Sequence, residues 1–201
     1  IPDVVSEAYS AQPPKPVVVT EPWYEFVEGN PTGRDIRFGA WTAILSGAAG
    51  HTYGGGHVWL ADVPESPAEG GSWPLEKGFD RNTLNYEGAV SMSILSGFFR
   101  KLEWWKMAPH PELISEYPDK YCLASPGLEY IIYLRWGGTC KLNLLSSRKE
   151  DEFEYYWFNP ATGKESGHST VKGGAVRFFS SPGGYPGSVH FSDWVLYLHK
   201  K

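Results

Sequence analysis

One short stretch near the start of the chain constrains the fold more than any other. The residues from Val17 to Thr20 form a β-branched run, with Pro16 before it and Glu21 and Pro22 after it. Such a run predicts a buried β-strand. Pro22 has a fixed φ and no backbone N–H, so pairing is expected to stop there and to leave Glu21 at the carboxyl end of the strand. Barrel enzymes place catalytic groups at such ends, and a solvated strand-end glutamate fits the same local pattern.

Composition limits what this strand can belong to. The 201 residues are 41% hydrophobic and 15% aromatic, which suffices for one large domain or two small ones. A net charge of −5 indicates no surface for nucleic acid, and no apolar stretch approaches the length of a membrane span. Cys122 and Cys140 are too few for a disulfide framework or a thiolate metal site. They either pair or are small buried residues.

The start of the sequence predicts a piece of a longer protein. It begins with Ile1-Pro2 and shows neither an initiator methionine nor a signal peptide. The residues from Ser6 to Tyr9 predict the end of a helix, which leads through a proline-rich turn into the Val17 strand. We therefore expect the sequence to enter an α/β repeat in its middle.

A second strand is predicted after an apolar helix. The segment from Ile36 to Ala49 is rich in small residues, as expected for a helix packed closely on a sheet, and Asp35 could cap it. The segment from His51 to Trp59 follows, and a strand–helix–strand order indicates a parallel sheet.

Three consecutive glycines, 54–56, lie within this second strand segment. They do not form a phosphate loop, because the lysine and the serine or threonine that end such a loop are missing. Aromatic and imidazole groups around them suit a sugar ring, namely His51, Tyr53, His57 and Trp59. Two histidines six residues apart lack a third ligand nearby, so no metal and no cofactor is predicted. Either histidine also fits a structural role.

The second half of the chain changes from helical to alternating periodicity. A helix with one buried face is predicted from Asn85 to Lys106. Turn signals then separate six candidate strands: Tyr121–Ala124, Tyr130–Arg135, Cys140–Leu145, Glu152–Asn159, Ala175–Ser180 and Trp194–His199. This spacing predicts a small antiparallel β-sandwich. We place the domains at residues 1–112 and 113–201.

The fourth of these strands carries two aromatic rows. Phe153, Tyr155 and Trp157 share one face, and Tyr156 and Phe158 share the other. At least one row is expected in the core. The other is either exposed or packed on the first domain.

Several linked motifs resemble a known family. The motifs in the first half are Lys15–Glu25, Arg37–Trp41, and Gly50–Gly54 with Val58-Trp59. They resemble the C-terminal part of the catalytic domain of apiosidase-like glycoside hydrolases, which are glycoside hydrolase family 140 and its relatives. Tyr156–Gly163 and Asp193–Leu198 resemble the β-sandwich that follows that domain, a module named for collagen binding.

The resemblance implies the C-terminal portion of a (β/α)8 TIM barrel followed by the sandwich. The Val17 strand would be the seventh strand and the segment from His51 to Trp59 the eighth. A barrel of this kind takes about 250 residues, so the resemblance implies that the first six strands lie outside this sequence.

The resemblance also implies retaining cleavage of glycosidic bonds in plant or microbial polysaccharide, with Glu21 as the nucleophile. The acid/base residue of such enzymes is on the fourth strand, which this sequence lacks. Glu25 is a supporting residue and not a substitute, because four residues along a loop do not ensure that it faces Glu21 across a sugar. Arg37 would pair with a carboxylate near the site or form an ion pair on the helix surface.

The remaining implied roles concern substrate and partners. The residues expected to contact sugar are Trp23, Tyr24, His51, Tyr53, His57 and Trp59. The expected partners are an oligo- or polysaccharide substrate and the N-terminal barrel half, and the expected location is secreted or periplasmic. Two alternatives stay open: a β-sandwich that binds carbohydrate or matrix protein or only supports the barrel, and a barrel that is inactive.

Overall fold

The computed structural model describes residues 1–25, 31–55, 81–183 and 192–201. Its α-helices are α1 (Pro2–Ser10), α2 (Gly33–Leu45) and α3 (Glu87–Phe99). None of the helices in these ranges is long and apolar enough to cross a membrane. The first part of the chain is mixed α/β, and the second is a sandwich-like pair of sheets.

The first part contains two parallel strand pairs joined through α2. Strand β1 (Val18–Val19) pairs with β3 (Gly50–His51), and β2 (Tyr24–Glu25) pairs with β4 (Gly54–Gly55). The bond from the Ala49 backbone N–H to the Val17 carbonyl lengthens the first pair. The predicted parallel strand–helix–strand order is confirmed. The expected burial of the Val17 strand is wrong, since Val18 is 53% exposed and β1 pairs with β3 alone among the described residues. The single strand segment predicted from His51 is interrupted, with β3 and β4 separated by two residues. The complete barrel stays a prediction.

Helix α2 begins three residues earlier than predicted, because its cap is Thr32. The Thr32 side chain accepts a hydrogen bond from the Asp35 backbone N–H, and the Asp35 carboxylate accepts one from the Thr32 backbone N–H. Asp35 therefore completes a capping box from the third helical position. The helix ends at Leu45 rather than Ala49, since Gly47 takes a φ of 107° beside the Tyr9 ring.

The second part holds a six-stranded and a three-stranded sheet. Their strands are β5 (Ala108–Pro109), β6 (Ile114–Ser115), β7 (Tyr121–Ser125), β8 (Glu129–Leu134), β9 (Thr139–Asn143), β10 (Glu152–Phe158), β11 (Glu165–Lys172), β12 (Val176–Ser180) and β13 (Trp194–Lys200). The larger sheet has the order β11-β10-β13-β8-β7-β5, and the smaller one has the order β12-β9-β6. All pairs in both sheets are antiparallel.

The central strands of the six-stranded sheet are buried on both faces. One face packs on α2 and α3 through side chains such as Tyr133, Phe158 and Val195, which surround Trp41. The other face packs on the smaller sheet and forms a second core. Phe153 and Trp157 belong to this second core, whereas Phe158 lies on the helix side. The sequence left the row of Tyr156 and Phe158 either exposed or packed on the first domain. The structure shows that it packs on the first part of the chain.

Two sequence predictions need correction in this region. Helix α3 ends at Phe99, and only a single 3-10 turn, Trp104–Lys106, follows within the range predicted as helix. Strand β11 was not predicted, because its eight residues are mostly polar and exposed and give no alternation to detect.

Cys122 and Cys140 are buried and not disulfide-bonded. Burial raises the pKa of the Cys140 thiol to about 12.

Candidate active site

Glu21 lies directly after the first strand pair, in an unusual backbone conformation. Its φ is 48°, in the left-handed region that residues other than glycine rarely adopt. Its backbone N–H donates to the Thr52 hydroxyl at 3.2 Å, which ties it to the end of the neighbouring strand. Backbone strain of this kind is kept mainly at functional sites. The side chain is exposed.

A phenol orients the Glu21 carboxylate. The Tyr24 hydroxyl donates a hydrogen bond of 2.6 Å to Glu21 Oε2. This bond is the main cause of the raised pKa of Tyr24, with burial and the Glu21 charge adding to it. Tyr24 therefore stays protonated at neutral pH and remains a donor. A hydrogen bond to a charged group is stronger than one between neutral groups.

A cavity of about 270 Å³ adjoins these two residues. Its lining brings together three of the residues predicted from the sequence, Glu21, Tyr24 and Tyr53. The other lining residues are Gly54, Gly55, Thr83, Leu84 and Ala89. Burial raises the pKa of Tyr53 to about 12, with smaller contributions from the charges of Glu25 and Tyr86, so its hydroxyl also stays protonated.

Sequence reasoning missed the lining residues from the start of α3 and the turn before it. Thr83 is buried and Leu84 exposed in this turn, which lies before the helix predicted from Asn85 and received no role from the sequence. The glycine at position 54 is a sequence signal that could have indicated a close packing contact at this cavity. A Cβ at this position would lie 2.1 Å from the Tyr24 ring, so the backbone must approach the aromatic group closely.

Glu25 lies beside this cavity but does not line it. Only 1% of its surface is exposed, and its Oε2 accepts a 3.0 Å hydrogen bond from the Gly88 backbone N–H. Gly88 is in the first turn of α3, where unpaired N–H groups favour an anion. Burial raises the pKa of Glu25, although the Gly88 bond acts in the opposite direction. Glu25 thus anchors α3 to the strand end.

Two predicted sugar contacts lie on the helix side of the strands. The Trp23 ring packs against Gly39 of α2, where a Cβ would be 2.7 Å from it. His51 lines a separate cavity of about 300 Å³ with Ile44, Leu95 and other residues of the helices. Its ring nitrogens are buried without a hydrogen-bond partner in the described ranges, and burial lowers its pKa to about 4. The structure does not bring either residue to Glu21.

Arg37 is buried at the junction between α2 and the six-stranded sheet. Its guanidinium donates two hydrogen bonds to Asp193, of 2.8 and 3.0 Å, and one of 2.9 Å to Glu87. The Tyr133 hydroxyl donates to the same Asp193 carboxylate at 2.8 Å. Burial by itself would lower the pKa of Arg37, but the bonds to Asp193 and Glu87 raise it overall. This arginine holds the two parts of the chain together.

Asp193 has a sequence signal that could have revealed this role. It is an acidic residue directly before the apolar strand β13, and a carboxylate in such a position needs a buried cation. Two other predicted site residues, His57 and Trp59, lie outside the described residues. Within the described ranges, no group of three or more histidine, cysteine, aspartate or glutamate residues is arranged to hold a metal ion.

Family comparisons match both halves of the chain. The family described as "Apiosidase-like, catalytic domain" matches residues 2–106. The family described as "Putative collagen-binding domain of a collagenase" matches residues 109–199. No curated protein matches the sequence.

Two solved structures share this fold. One is described as a glycoside hydrolase, with a TM-score of 0.81, 20% identity, and alignment over 98% of this chain and 45% of that chain. The other is a glycoside hydrolase family 5 protein from Bacteroides vulgatus ATCC 8482, with the same TM-score and identity, over 98% of this chain and 44% of that one. The chain therefore spans less than half the length of these two solved structures.

Proposed function

Because the chain belongs to the apiosidase-like catalytic domain family, we propose that it is part of a retaining glycoside hydrolase in which Glu21 is the nucleophile. The observation that carries this proposal is the position of Glu21. It is an exposed carboxylate in a left-handed conformation at a strand end, oriented by Tyr24 beside a cavity. Polar groups at such an end serve catalysis in barrel enzymes.

In the proposed first step, Glu21 attacks the anomeric carbon of the sugar. A bond forms between a carboxylate oxygen and that carbon while the bond to the leaving oxygen breaks, and a second carboxylic acid protonates the leaving oxygen. In the second step, the same group removes a proton from water, which attacks the anomeric carbon and releases Glu21. The second carboxyl group must lie about 5–5.5 Å from Glu21.

The second carboxylic acid is proposed to lie on a segment outside these 201 residues. Glu25 does not line the cavity, and its carboxylate is engaged with Gly88. It therefore suits a supporting role better than a chemical one. The proposed partner of this chain is the upstream barrel half, which would supply the acid/base and most of the sugar-specificity loops.

The other predicted residues receive roles according to their positions. Tyr24 holds the nucleophile, and Tyr53 offers a protonated hydroxyl and a ring face to the sugar. Trp23 and His51 act through the packing of α2 and α3, since both lie on the helix side. Sugar stacking by His57 and Trp59 remains part of the proposal, as does action on plant or microbial polysaccharide outside the cell or in the periplasm.

A supporting role for the sandwich is favoured by one observation. Its larger sheet packs on α2 and α3, and the Arg37–Asp193 pair crosses that contact. The sandwich would thus fix the helix that connects the two strands of the site.

The test uses the whole polypeptide that carries this chain together with the upstream strands. Mechanism-based 2-deoxy-2-fluoro aryl glycosides of several sugars are incubated with it, and the labelled peptide is found by mass spectrometry. We expect the label on Glu21, and we expect Glu21→Gln to lower turnover by about 10⁴-fold or more. Glu21→Ala should regain activity with azide and release a glycosyl azide of inverted anomeric configuration.

Glu150→Gln is the matched control, because it removes an exposed carboxylate from the sandwich at a position that does not line the cavity beside Glu21. It should leave turnover within about twofold. A label on another carboxylate, or turnover by Glu21→Gln close to that of the unmodified protein, would rule out the nucleophile assignment.

A further inference from the structure

The six-stranded sheet carries a third cavity, of about 450 Å³, at its β11 edge. It is lined by Tyr156 and Glu154 of β10, His168 and Thr170 of β11, and His199 of β13. None of these residues lines the cavity beside Glu21. The volume is in the range of ligand-binding clefts.

Three rings that line this cavity, those of Tyr156, His168 and His199, are joined by the buried Tyr197 ring into one continuous ring platform. Tyr156 stacks on His168 with ring centres 5.0 Å apart and an interplanar angle of 28°. Tyr197 stacks on His199 at 5.6 Å, and the two tyrosines are 5.2 Å apart. The β10–β11 register shifts between Tyr155 and Trp157. Such an irregularity re-aims side chains from a sheet, and here it accompanies the pairing of Tyr156 with His168.

Carboxylates surround this ring platform. Glu154 lies 3.6 Å from His199 Nε2, and Glu165 lies 3.5 Å from His168 Nε2. Glu129 accepts the Tyr197 hydroxyl. The Nδ1 atom of His199 is shielded and has no partner in the part of the chain that the structure describes. The cavity therefore offers the Glu154 carboxylate as an acceptor next to aromatic ring faces.

The platform lies on the sheet face that packs against the helices, in a part of that face that the helices do not cover. Phe98 near the end of α3 contacts Tyr197 edge to face, with ring centres 6.0 Å apart. The rings at the two ends of the platform, His199 and His168, are solvent-accessible, with 41% and 63% of their side chains exposed. The same sheet face thus supports the helices at one end and is accessible at the other.

We propose that this ring platform binds a neutral glycan chain. One face of a pyranose or furanose ring presents C–H groups that pack on an aromatic ring, while its hydroxyls donate to carboxylates. Lys201 and Lys101 lie 3.4 and 4.0 Å from the carboxylates of Glu154 and Glu165. Because these cations are already paired, the platform does not favour anionic chains such as polyuronates and nucleic acids. Because the platform shares no residue with the Glu21 site, this inference stands independently of the proposed hydrolysis.

The test measures binding by the whole protein in a Glu21→Gln background, so that substrate is not consumed and hydrolysis has no influence on the result. Soluble xylan, arabinan and mixed-linkage glucan serve as neutral probes, polygalacturonate as the anionic probe, and a triple-helical collagen peptide as the peptide probe. Affinity is measured by calorimetry and by retardation in polysaccharide-containing gels.

We expect at least one neutral glycan to bind and polygalacturonate not to bind. His168→Ala should weaken binding at least about fivefold and Tyr156→Leu at least about tenfold, whereas Tyr156→Phe keeps the ring and should keep binding. Phe178→Ala is the matched control, since it removes an equally exposed ring from β12, which belongs to the other sheet. Its affinity should stay within about twofold.

Three results would overturn the proposal. They are binding of no neutral glycan, equal binding by the His168→Ala and Phe178→Ala variants, and binding of the collagen peptide without any glycan. His168→Ala keeps the test decisive if Tyr156→Leu fails to fold, because His168 is exposed and lies outside both cores.

Discussion

The strand-end site and the junction on the six-stranded sheet use charged groups in opposite ways. At the junction, Arg37 and Asp193 are 4% and 1% exposed and satisfy each other with two hydrogen bonds. At the strand end, Glu21 is exposed, has a left-handed backbone, and accepts one side-chain hydrogen bond, from Tyr24. A closed, fully paired charge stabilises the architecture, whereas an open and oriented one is available for chemistry. Helix α2 links the two regions.

The largest effect on stability is expected at the junction. Asp193→Asn should lower the free energy of unfolding by about 3 kcal/mol, because it leaves Arg37 as a buried cation without its main partner. Urea denaturation of the protein measures this change. Glu87→Gln is the control: Glu87 contacts the same guanidinium but is 59% exposed, so its loss should cost less than about 1 kcal/mol. Equal costs would show that the junction does not depend on a closed pair.

The next effect is expected on the face of α2 that meets the strand end. Gly39→Ala should cost about 2 kcal/mol in unfolding free energy, because its Cβ would lie 2.7 Å from the Trp23 ring. Gly97→Ala in α3 is the matched control, since a Cβ there meets nothing within 4 Å. It should stabilise the protein by about 0.5 kcal/mol through helix propensity. If Gly39→Ala left the free energy of unfolding unchanged, the packing between α2 and the Trp23 ring would be less tight than the packing at the junction.

A third prediction separates chemistry from architecture. Tyr24→Phe in the whole protein should lower kcat about tenfold with little change in KM, because it removes the hydrogen bond that orients Glu21. The free energy of unfolding should change by less than about 0.5 kcal/mol, since this bond is solvent-exposed. Steady-state kinetics and urea denaturation check the two parts. A large loss of stability with unchanged kcat would assign Tyr24 to the architecture.

The smallest effect concerns Glu25, which is buried like the junction but lies beside the site. Its raised pKa means that the folded state binds this proton more tightly than the unfolded state does. Stability from this group is therefore present below its ordinary pKa of 4.5 and is lost as the pH rises through its raised value.

Glu25→Gln should remove this pH dependence, because the amide oxygen still accepts the Gly88 N–H without a charge. Unfolding measured at pH 3 should agree between the variant and the unmodified protein within about 0.5 kcal/mol. At pH 7 the variant should be at least as stable. A variant less stable at pH 7 than at pH 3, relative to the unmodified protein, would show that the ionised form of Glu25 is the one that the fold favours.

The sequence predicted most of the helices and strands that bury a regular pattern of side chains. The Val17 run, the apolar helix after Thr32 and six of the sandwich strands were found, because strand and helix periodicities report a single buried face. The run in β8, Tyr130 to Leu134, is buried throughout, so periodicity could not say that both faces of its sheet are covered. Strand β11 was missed because most of its residues are exposed, so it has no buried face for periodicity to report.

For the site, the sequence predicted residue types better than directions. Glu21, Tyr24 and Tyr53 do share one cavity. Trp23 and His51 lie on the helix side, although each is two residues from a cavity-lining residue, Glu21 or Tyr53. Strict alternation along a strand does not give these directions, because the strands are interrupted between β1 and β2 and between β3 and β4. The partner of Arg37 is 156 residues away in the sequence, and no local pattern reports a contact of that range.

The central strands of the six-stranded sheet, which are covered on both faces, also determine how the molecule unfolds. Strands β8 and β13 are paired on both sides in the sheet and contribute to both cores, so their amide hydrogens should exchange with deuterium most slowly. Exchange there requires the helices and the smaller sheet to separate from it together. The two halves of the chain, which match separate families, should therefore unfold as one cooperative unit around these strands.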